Sequence, residues 1–312
     1  MFKESMNRFL IGQYESFDYN KYSRDFLPGF YGIEACLFDN EQDIASLLKE
    51  SQDTGFHIGV HFPLRAGVTA LRDAQFLSSD NAARKRAYED VQQELDFLSV
   101  LKPSYVLFHY PKPVILDDRV DWSDWRFYDP SEYVFESAYS SERFKEESHT
   151  LFEWLSNKGR EYDFTPVLEF DALNRYTYLS NQVEDLLEKH GNIKLCLDTA
   201  RLYLQDRIDP HFDAKSVIKK FAKYAETIHL SNFQIDRHNQ VVQKRVPVLP
   251  GLDPSDGWAP IAEYLQIMSQ ENDHFKVMFE HQSQLVSDEE LYECYSWVAE
   301  LISSGHEISA IK

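Results

Sequence analysis

The sequence is poor in cysteine and in basic residues. Three of its 312 residues are cysteines, at Cys36, Cys196 and Cys294. This number and spacing argue against a disulfide framework or a cysteine-rich metal site, and indicate buried thiols in a reduced cytosol. The 52 acidic residues outnumber the 32 basic ones, giving a formal charge of −20. That charge disfavours a nucleic-acid partner, because phosphate backbones are bound by clustered lysine and arginine.

Long apolar runs and targeting patterns are also missing. No stretch approaches the roughly 18 apolar residues of a membrane span, and the N-terminus has no basic segment followed by an apolar one. No Gly-x-Gly-x-x-Gly follows the first predicted strand, which weakens a dinucleotide-binding fold. The hydrophobic content of 43% is ample for a core. We therefore expect a cytoplasmic protein without a membrane partner.

Eight short runs rich in β-branched and aromatic residues alternate with amphipathic segments. Such alternation predicts βα units and a parallel sheet. Eight units in about 300 residues fit a closed (β/α)8 TIM barrel, with an open doubly wound sheet as the alternative. We expect one domain over residues 1–312, since no Pro/Ser-rich linker or strong repeat divides the chain. The strands are predicted at 8–14, 31–38, 57–61, 105–109, 165–170, 193–198, 227–230 and 275–280.

Helical periodicity fills most of the intervals between these strands. A helix is predicted over 41–54, with Gly55 as its C-cap, and another over 141–158, ended by Gly159. The first crossover, 18–27, is expected to be short and irregular. Further helices are predicted at 81–101, 181–190, 216–224, 258–270 and 288–303.

One connection, residues 110–140 after the fourth predicted strand, is unusually long. Loops of this length tend to be lids or binding loops. Two predictions stay open: a lid over the site, or an insertion packed on its own barrel or on another subunit. Its aromatic residues are Trp122, Trp125, Phe127, Tyr128, Tyr133, Phe135 and Tyr139.

Four acidic or imidazole side chains end short apolar runs: Glu169, Asp198, His229 and Glu280. A charge at a buried strand end is costly unless something pairs with it, and barrel active sites lie at the C-terminal ends of strands. Mixed carboxylate and imidazole ligands favour one divalent cation. We expect Mn²⁺ first, with Mg²⁺, Co²⁺ and Zn²⁺ as alternatives. Each residue taken alone also fits a structural role, as a rim carboxylate paired with arginine or a hydrogen-bonded core histidine.

Two further histidines, His61 and His109, end the third and fourth runs. Each precedes an aromatic residue and a proline, which would turn the chain out of the strand. We expect them at the same mouth as substrate contacts, with metal ligation or a structural rim role as alternatives. Glu34, in Gly-Ile-Glu-Ala, is a candidate of the same kind.

Taken in order, these short motifs resemble the xylose-isomerase-like TIM barrels, which include sugar and sugar-phosphate isomerases and epimerases and the endonuclease IV branch. The resemblance runs through nearly the whole chain, although the last motif lacks the second glycine of the family's Gly-x-Gly loop. The motifs are Gly32-Ile33-Glu34, Val60-His61-Phe62-Pro63, Phe108-His109-Tyr110-Pro111, Leu168-Glu169, Leu197-Asp198-Thr199, Ile228-His229-Leu230, Phe279-Glu280 and Leu249-Pro250-Gly251-Leu252-Asp253.

The resemblance implies roles for the four strand-end residues. In ketose 3-epimerase-type relatives the residues matching Glu169, Asp198, His229 and Glu280 hold one divalent metal, and the two glutamates face opposite sides of the substrate carbon. The chain is thus expected to be an isomerase or epimerase of a small sugar, sugar phosphate or polyhydroxy ketone, acting through an enediolate. A dehydratase of the same superfamily is an alternative. Aromatic loops of relatives often meet across subunits, so a homo-oligomer is also an expectation.

Arg201 departs from the pattern of many relatives, which carry a histidine three residues after the aspartate matching Asp198. An arginine there is suited to bind a carboxylate or phosphate of the substrate, or to neutralise surplus carboxylate charge. It also removes one ligand of the three-metal cluster of endonuclease IV. Arg245 is a further substrate-contact candidate, with a solvated loop charge as the alternative.

The alternative function is an endonuclease IV-like phosphodiesterase or abasic-site nuclease. Asp236-Arg237-His238 is similar to a ligand motif of that branch. It follows His229 by only seven residues, and we interpret it as a coincidence in a loop. A third hypothesis is a barrel that serves only as a binding or regulatory protein, against which the complete quartet argues.

Overall fold

Twelve strands are present in the computed structural model, which describes residues 5–309 and the side-chain surroundings of residues 5–303. In chain order they are β1 (Phe9–Tyr14), β2 (Gly32–Cys36), β3 (His57–His61), β4 (Tyr105–Tyr110), β5 (Val114–Leu116), β6 (Tyr133–Phe135), β7 (Thr165–Phe170), β8 (Lys194–Asp198), β9 (Ala225–Leu230), β10 (Asn232–Ile235), β11 (Val241–Val246) and β12 (Lys276–Phe279).

Eight of these strands form a closed parallel barrel in the order β1-β12-β9-β8-β7-β4-β3-β2. The register places His109 beside Glu169 in β4 and β7, and His229 beside Met278 in β9 and β12. The (β/α)8 TIM barrel predicted from the sequence is confirmed, and the open doubly wound sheet is not formed. Because parallel strands share one direction, their C-terminal ends lie at one end of the barrel.

Helices separate the barrel strands. The α-helices are α1 (Tyr19–Asp25), α2 (Glu41–Thr54), α3 (Asn81–Leu98), α4 (Ser141–Tyr162), α5 (Arg175–Tyr178), α6 (Gln182–Lys189), α7 (Thr199–Ile208), α8 (Ala214–Phe221), α9 (Ile261–Glu271) and α10 (Asp288–Ser309). Short 3₁₀ segments lie at Pro130–Glu132, Glu136–Ala138, Ala222–Tyr224, Pro254–Asp256 and Ser283–Leu285. The bounds of α2 and its C-cap Gly55, in the left-handed region at φ 81°, are as predicted. The starts of α3, α4 and α10 are also as predicted, and the other predicted helix bounds shift by one to six residues.

The prediction that Gly159 ends a helix is wrong. Helix α4 continues to Tyr162 and ends at Asp163, whose φ of 57° is left-handed. A Cβ on Gly159 would lie 2.7 Å from the ring of Pro166. This glycine is therefore needed for the close packing of α4 against β7, and not for chain reversal.

The first crossover is also more regular than predicted. Residues 19–25 form α1, and the Asp18 carboxylate caps it by accepting from the backbone N–H groups of Asn20 and Lys21 at 2.8 and 3.2 Å. A helix of this length has too few apolar positions to give a periodic signal, whereas the capping aspartate was visible in the sequence.

Both long connections contain strands of their own. The 110–140 segment carries the parallel pair β5 and β6. The connection after β9 forms an antiparallel hairpin of β10 and β11. In the first segment the Trp122 indole N–H donates to the Asp117 carbonyl at 3.0 Å, while the Tyr128 side chain is 92% exposed. The two roles of this segment, a lid or an insertion packed on its own barrel or on another subunit, stay predictions.

The chain divides into two compact units. Unit 1 comprises Met1–Gly12, Asp18–Gly32 and Leu197–Lys312, and unit 2 comprises Gln13–Phe17 and Ile33–Cys196. The prediction of a single domain stays a prediction.

Each unit has an apolar core. In unit 1, Phe9, Phe279 and Tyr295 are buried, with ring centroids 5.0 Å apart for Phe9–Phe279 and 4.7 Å for Phe279–Tyr295. In unit 2, Phe108 and Leu168 are fully or almost fully buried in β4 and β7. Within residues 5–309, no helix has the length and apolarity required to cross a membrane.

Candidate metal centre

Three of the predicted ligands meet in unit 1. Asp198 is the last residue of β8, His229 lies in β9, and Glu280 directly follows β12. One donor atom of each lies within 4.8 Å of the other two, and His229 Nδ1 is 3.7 Å from Glu280 Oε2. The Glu280 backbone N–H donates to the Leu230 carbonyl at 3.1 Å, which fixes the strand end that carries the carboxylate. We call these three residues the unit 1 triad.

Local hydrogen bonds hold Asp198 in place. Its Oδ1 caps α7 by accepting from the backbone N–H groups of Ala200 and Arg201 at 2.8 and 3.1 Å. The hydroxyl of the next residue, Thr199, donates to the Ser231 carbonyl at 3.0 Å and thereby ties the start of α7 to the end of β9. An aspartate at a strand end is thus also an N-cap, so its orientation is set before any ligand binds.

Two guanidinium groups contact the carboxylates of the unit 1 triad. Arg201 Nε lies 3.3 Å from Asp198 Oδ2, and Arg245 Nη2 lies 3.0 Å from Glu280 Oε1. Arg201 belongs to the first turn of α7 and Arg245 to β11, so two different elements supply the positive charge. Both arginines were predicted as substrate contacts, and both lie beside the predicted metal ligands.

The donor set of the unit 1 triad fits a divalent cation. Two carboxylates and one imidazole are the mixture that suits Mn²⁺, Zn²⁺ and similar ions. Asp198 and His229 are buried and the Glu280 side chain is 12% exposed. Two neighbouring carboxylates with little exposure to water repel each other, so a nearby positive charge stabilises the pair. The two arginines supply part of this positive charge.

Glu169, the fourth predicted ligand, belongs to unit 2, where two histidines contact it. Its Oε2 lies 2.8 Å from His109 Nε2 and 3.3 Å from His61 Nε2, and the two imidazole rings are edge to face at 4.9 Å. All three side chains are buried, and one donor atom of each lies within 4.8 Å of the others. The structure therefore brings His61 and His109 together on a predicted catalytic carboxylate.

Both ring nitrogens of His61 face oxygen atoms that accept hydrogen bonds. Burial is the main cause that lowers the pKa of His61 below its usual value, although the contact with Glu169 opposes it. Nδ1 lies 3.2 Å from the Phe62 carbonyl oxygen, and Nε2 lies 3.3 Å from Glu169 Oε2. The neutral ring can donate to one of these two oxygens at a time, since it carries a single N–H.

Sequence reasoning missed three charged residues beside His109. The Lys112 ammonium lies 2.8 Å from Asp73 Oδ2 and 2.8 Å from Asp171 Oδ2, and Asp73 Oδ2 lies 2.9 Å from His109 Nδ1. Asp171 was detectable, because it lies two residues beyond Glu169 and alternate strand positions share a face. Lys112 and Asp73 lie in irregular segments whose sequence carries no periodic signal.

Neighbouring charges override burial in this cluster. Burial by itself raises the pKa of the Asp73 carboxyl, but His109 and Lys112 hold that pKa well below its usual value. Burial by itself lowers the pKa of Lys112, whereas Asp171 and Asp73 raise it above the usual value. Asp73 and Lys112 are therefore both charged at neutral pH.

Glu34, a predicted substrate contact, lies inside the barrel wall in β2. Its carboxylate is fully buried and accepts a hydrogen bond of 2.7 Å from the Tyr105 hydroxyl. Gly59 makes room for this tyrosine, since a Cβ there would lie 2.3 Å from the ring. The Tyr105 contact gives Glu34 a structural partner that does not require a ligand.

Asp236-Arg237-His238 forms the turn between β10 and β11. Asp236 Oδ1 accepts from the backbone N–H groups of His238 and Gln240 at 2.7 and 3.0 Å, and the side chains of Arg237 and His238 are exposed. The aspartate thus closes a hairpin turn, as expected for a loop motif.

Comparison with known proteins finds solved structures of similar fold. No protein-family model and no curated protein matches the sequence. One similar solved structure is the TTHB071 protein from Thermus thermophilus, soaked with ZnCl₂, at 15% identity and a TM-score of 0.58, covering 95% of this chain and 98% of that one. A second is a D-tagatose 3-epimerase-like protein, at 13% identity and a TM-score of 0.56, covering 96% of this chain and 98% of that one. A third is the 3-keto-D-glucoside 4-epimerase YcjR from E. coli, at 13% identity and a TM-score of 0.55, covering 95% of this chain and 99% of that one. At these identities the likeness shows a shared fold.

Proposed function

We propose that this chain, whose fold is that of the xylose isomerase-like TIM barrels, is a divalent-metal-dependent isomerase or epimerase of a small polyhydroxy carbonyl compound. The observation that carries the proposal is the unit 1 triad, whose donor atoms lie within 4.8 Å of one another at strand ends. Two solved structures of the same fold are named as sugar epimerases or epimerase-like proteins, and a third was soaked with zinc chloride.

The proposal assigns metal binding to Asp198, His229 and Glu280. When bound, a divalent ion supplies Lewis-acid stabilisation of the negative charge that develops on a substrate carbonyl oxygen. Glu169 stays the predicted fourth ligand on the sequence argument alone. The ion expected first is Mn²⁺, because the donor set is rich in carboxylates.

The chain's own residues would move the protons. Removing a proton from the hydroxyl-bearing carbon beside a carbonyl gives an enediolate. Returning a proton to the same carbon from the opposite face completes an epimerisation. Returning it to the former carbonyl carbon, with one proton moving from the hydroxyl oxygen to the former carbonyl oxygen, completes an isomerisation. Glu280 and Glu169 are the proposed acid and base. Arg245 contacts the Glu280 carboxylate at 3.0 Å, while His109 and His61 orient Glu169 through contacts of 2.8 and 3.3 Å.

The test is proton exchange with solvent. The metal-loaded protein is incubated in D₂O with a panel of ketoses, ketose phosphates and inositol-type ketones, and deuterium incorporation at carbon is followed by NMR. We expect a substrate C–H to exchange only with metal present, and the Glu169→Gln and Glu280→Gln variants to lose exchange. Full exchange by both variants would show that the assigned acid and base are wrong.

A matched control separates chemistry from folding. Glu263→Gln changes an exposed glutamate of α9 that pairs with Lys215 and is not one of the proposed ligands. This variant should bind metal and exchange protons as the unchanged protein does. Metal content per chain, measured by plasma mass spectrometry, is the second readout.

A second candidate function is metal-dependent phosphodiester hydrolysis. It is favoured by the His61, His109 and Glu169 group, which could hold a further ion. Two observations weigh against it: Asp236 is engaged in a hairpin turn, and Arg201 stands where the resemblance expects a metal-binding histidine. Two or more ions per chain together with binding to abasic duplex DNA would favour this candidate, whereas one ion and no binding would exclude it.

A further inference from the structure

The unit 1 triad and the two arginines that contact it carry together as much positive charge as negative charge before any metal binds. Asp198 and Glu280 contribute two negative charges, and Arg201 and Arg245, at 3.3 and 3.0 Å from them, contribute two positive ones. His229 must be neutral to act as a ligand. The protein as a whole has a formal charge of −20, so this local balance does not follow from its composition.

A bound divalent cation would leave the site with an excess of two positive charges. The ion and the unit 1 triad without Arg201 and Arg245 would be neutral, which suits an uncharged sugar. The arginines therefore turn a site for neutral polyols into one with unmatched positive charge.

Backbone contacts hold both arginines near the triad. The Arg201 N–H donates to Asp198 Oδ1 at 3.1 Å, in the first turn of α7. The Arg245 carbonyl accepts from the Gln282 N–H at 2.8 Å, which ties the end of β11 to the segment after β12. Arg245 has a φ of 54°, in the left-handed region that residues with side chains rarely adopt and that often marks functional positions.

We infer that the substrate is an acidic polyhydroxy compound, with a carboxylate or a phosphate in addition to its hydroxyl groups. This inference rests on the proposed function. A cation that draws the oxygens of Asp198 and Glu280 toward itself competes with the guanidinium groups for them. A carboxylate or phosphate of the substrate offers the guanidinium N–H donors two oxygens in the geometry that arginine binds best.

The inference is tested by calorimetric titration of the Mn²⁺-loaded full chain with D-gluconate, D-glucitol 6-phosphate and D-glucitol. These compounds share one polyol chain and differ in carrying a carboxylate, a phosphate or no charge. We expect at least one anion to bind about tenfold more tightly than D-glucitol, as charge-assisted hydrogen bonds would give. Which anion is preferred tells a carboxylate substrate from a phosphate substrate.

Substitution of the arginines shows whether they cause the preference. Arg201→Gln and Arg245→Gln should each remove most of it, and the double variant should remove it fully, with little change in D-glucitol affinity. Arg207→Gln is the control, because Arg207 lies in the same helix as Arg201 and donates a hydrogen bond to Asn239 at 3.1 Å. This variant should keep the preference for anions. Circular dichroism verifies that each variant is folded.

Three results would overturn the inference: equal or tighter binding of D-glucitol, no saturable binding of either anion, or a preference that survives the double substitution. Metal content is measured on the same samples. A protein that retains metal without preferring anions overturns this inference alone, whereas a protein that retains no metal overturns the proposed function.

Discussion

The Lys112 ammonium lies 2.8 Å from a carboxylate oxygen of Asp171, and neither side chain is more than 4% exposed. The same ammonium is 2.8 Å from Asp73, which in turn is 2.9 Å from His109 Nδ1. One lysine thus contacts two buried carboxylates next to the histidine that contacts Glu169. The orientation of a predicted catalytic residue depends on a charge cluster that takes no part in the proposed chemistry.

Lys112→Met should destabilise the protein strongly. Removing the ammonium takes away the cation that contacts both buried carboxylates, and breaking a buried ion pair typically costs about 3–5 kcal/mol. The free energy of unfolding is measured by urea titration. Lys49→Met, at a side chain that is 66% exposed, should leave the free energy of unfolding nearly unchanged. Equal effects of the two substitutions would contradict the assignment.

The same variant should gain a metal site. Asp73, His109 and Asp171 each have a donor atom within 4.8 Å of the others, and Lys112 lies against both carboxylates. Without the ammonium, a divalent ion is the cation that this donor set suits. We expect Lys112→Met to hold one more Zn²⁺ per chain than the unchanged protein, and Asp73→Asn/Lys112→Met to lose that extra ion. Identical zinc contents in all three proteins would refute the expectation.

The stability that Asp73 contributes should depend on pH. Because its folded-state pKa lies well below the ordinary value of 3.8, its contribution is complete above that value and is lost as the pH falls through the folded pKa. Lys112 behaves in the opposite sense, with its contribution complete below 10.5 and lost at higher pH. The unfolding free energies of the unchanged protein and Asp73→Asn should differ most near neutral pH and converge in acid. A difference that grows in acid would contradict the sign.

Asp198→Asn should weaken metal binding by more than about 100-fold, since even residues that only orient a ligand contribute 10–100-fold. Asparagine can still accept the N-cap hydrogen bonds, so the fold should be kept. Asp236→Asn is the matched control, because Asp236 caps a hairpin turn in the same unit. Competition with a metal-sensitive dye gives both affinities. Comparable losses would show that the effect is structural.

Gly59→Ala should destabilise the protein by about 1–3 kcal/mol through overpacking. The new Cβ would lie 2.3 Å from the ring of Tyr105, whose hydroxyl donates to Glu34. Gly191→Ala is the control, because nothing lies within 4 Å of its added Cβ. Thermal unfolding compares the two variants. If Gly59→Ala melts at the temperature of Gly191→Ala, the packing argument is wrong.

Much of the fold could be predicted because periodicity is a local property. Alternating apolar runs and helical faces identified all eight barrel strands and most helices, and α2 was predicted to the residue. The errors came where packing overrides a local signal. Gly159 was interpreted as a helix end, but it is needed because its close packing against Pro166 leaves no room for a side chain. Helix α1 depends on a cap and not on a periodic face.

The candidate site was predictable only in part, for the same reason. Strand ends in a parallel barrel converge, so Asp198, His229 and Glu280 could be grouped by their positions in the sequence. Asp73 and Lys112 come from segments without regular structure, and nothing in their local sequence indicates that they meet at His109.

The sequence by itself determined the closed barrel and the residue types at its strand ends, because hydrophobic periodicity and residue order are written along the chain. Only the tertiary structure decided which charges lie against which. It placed Arg201 and Arg245 on the carboxylates of the unit 1 triad, His61 and His109 on Glu169, and Lys112 between two aspartates. Such pairings require distances of about 3 Å between residues that are remote in sequence. Residue order does not set these distances, and the interaction energy depends on them.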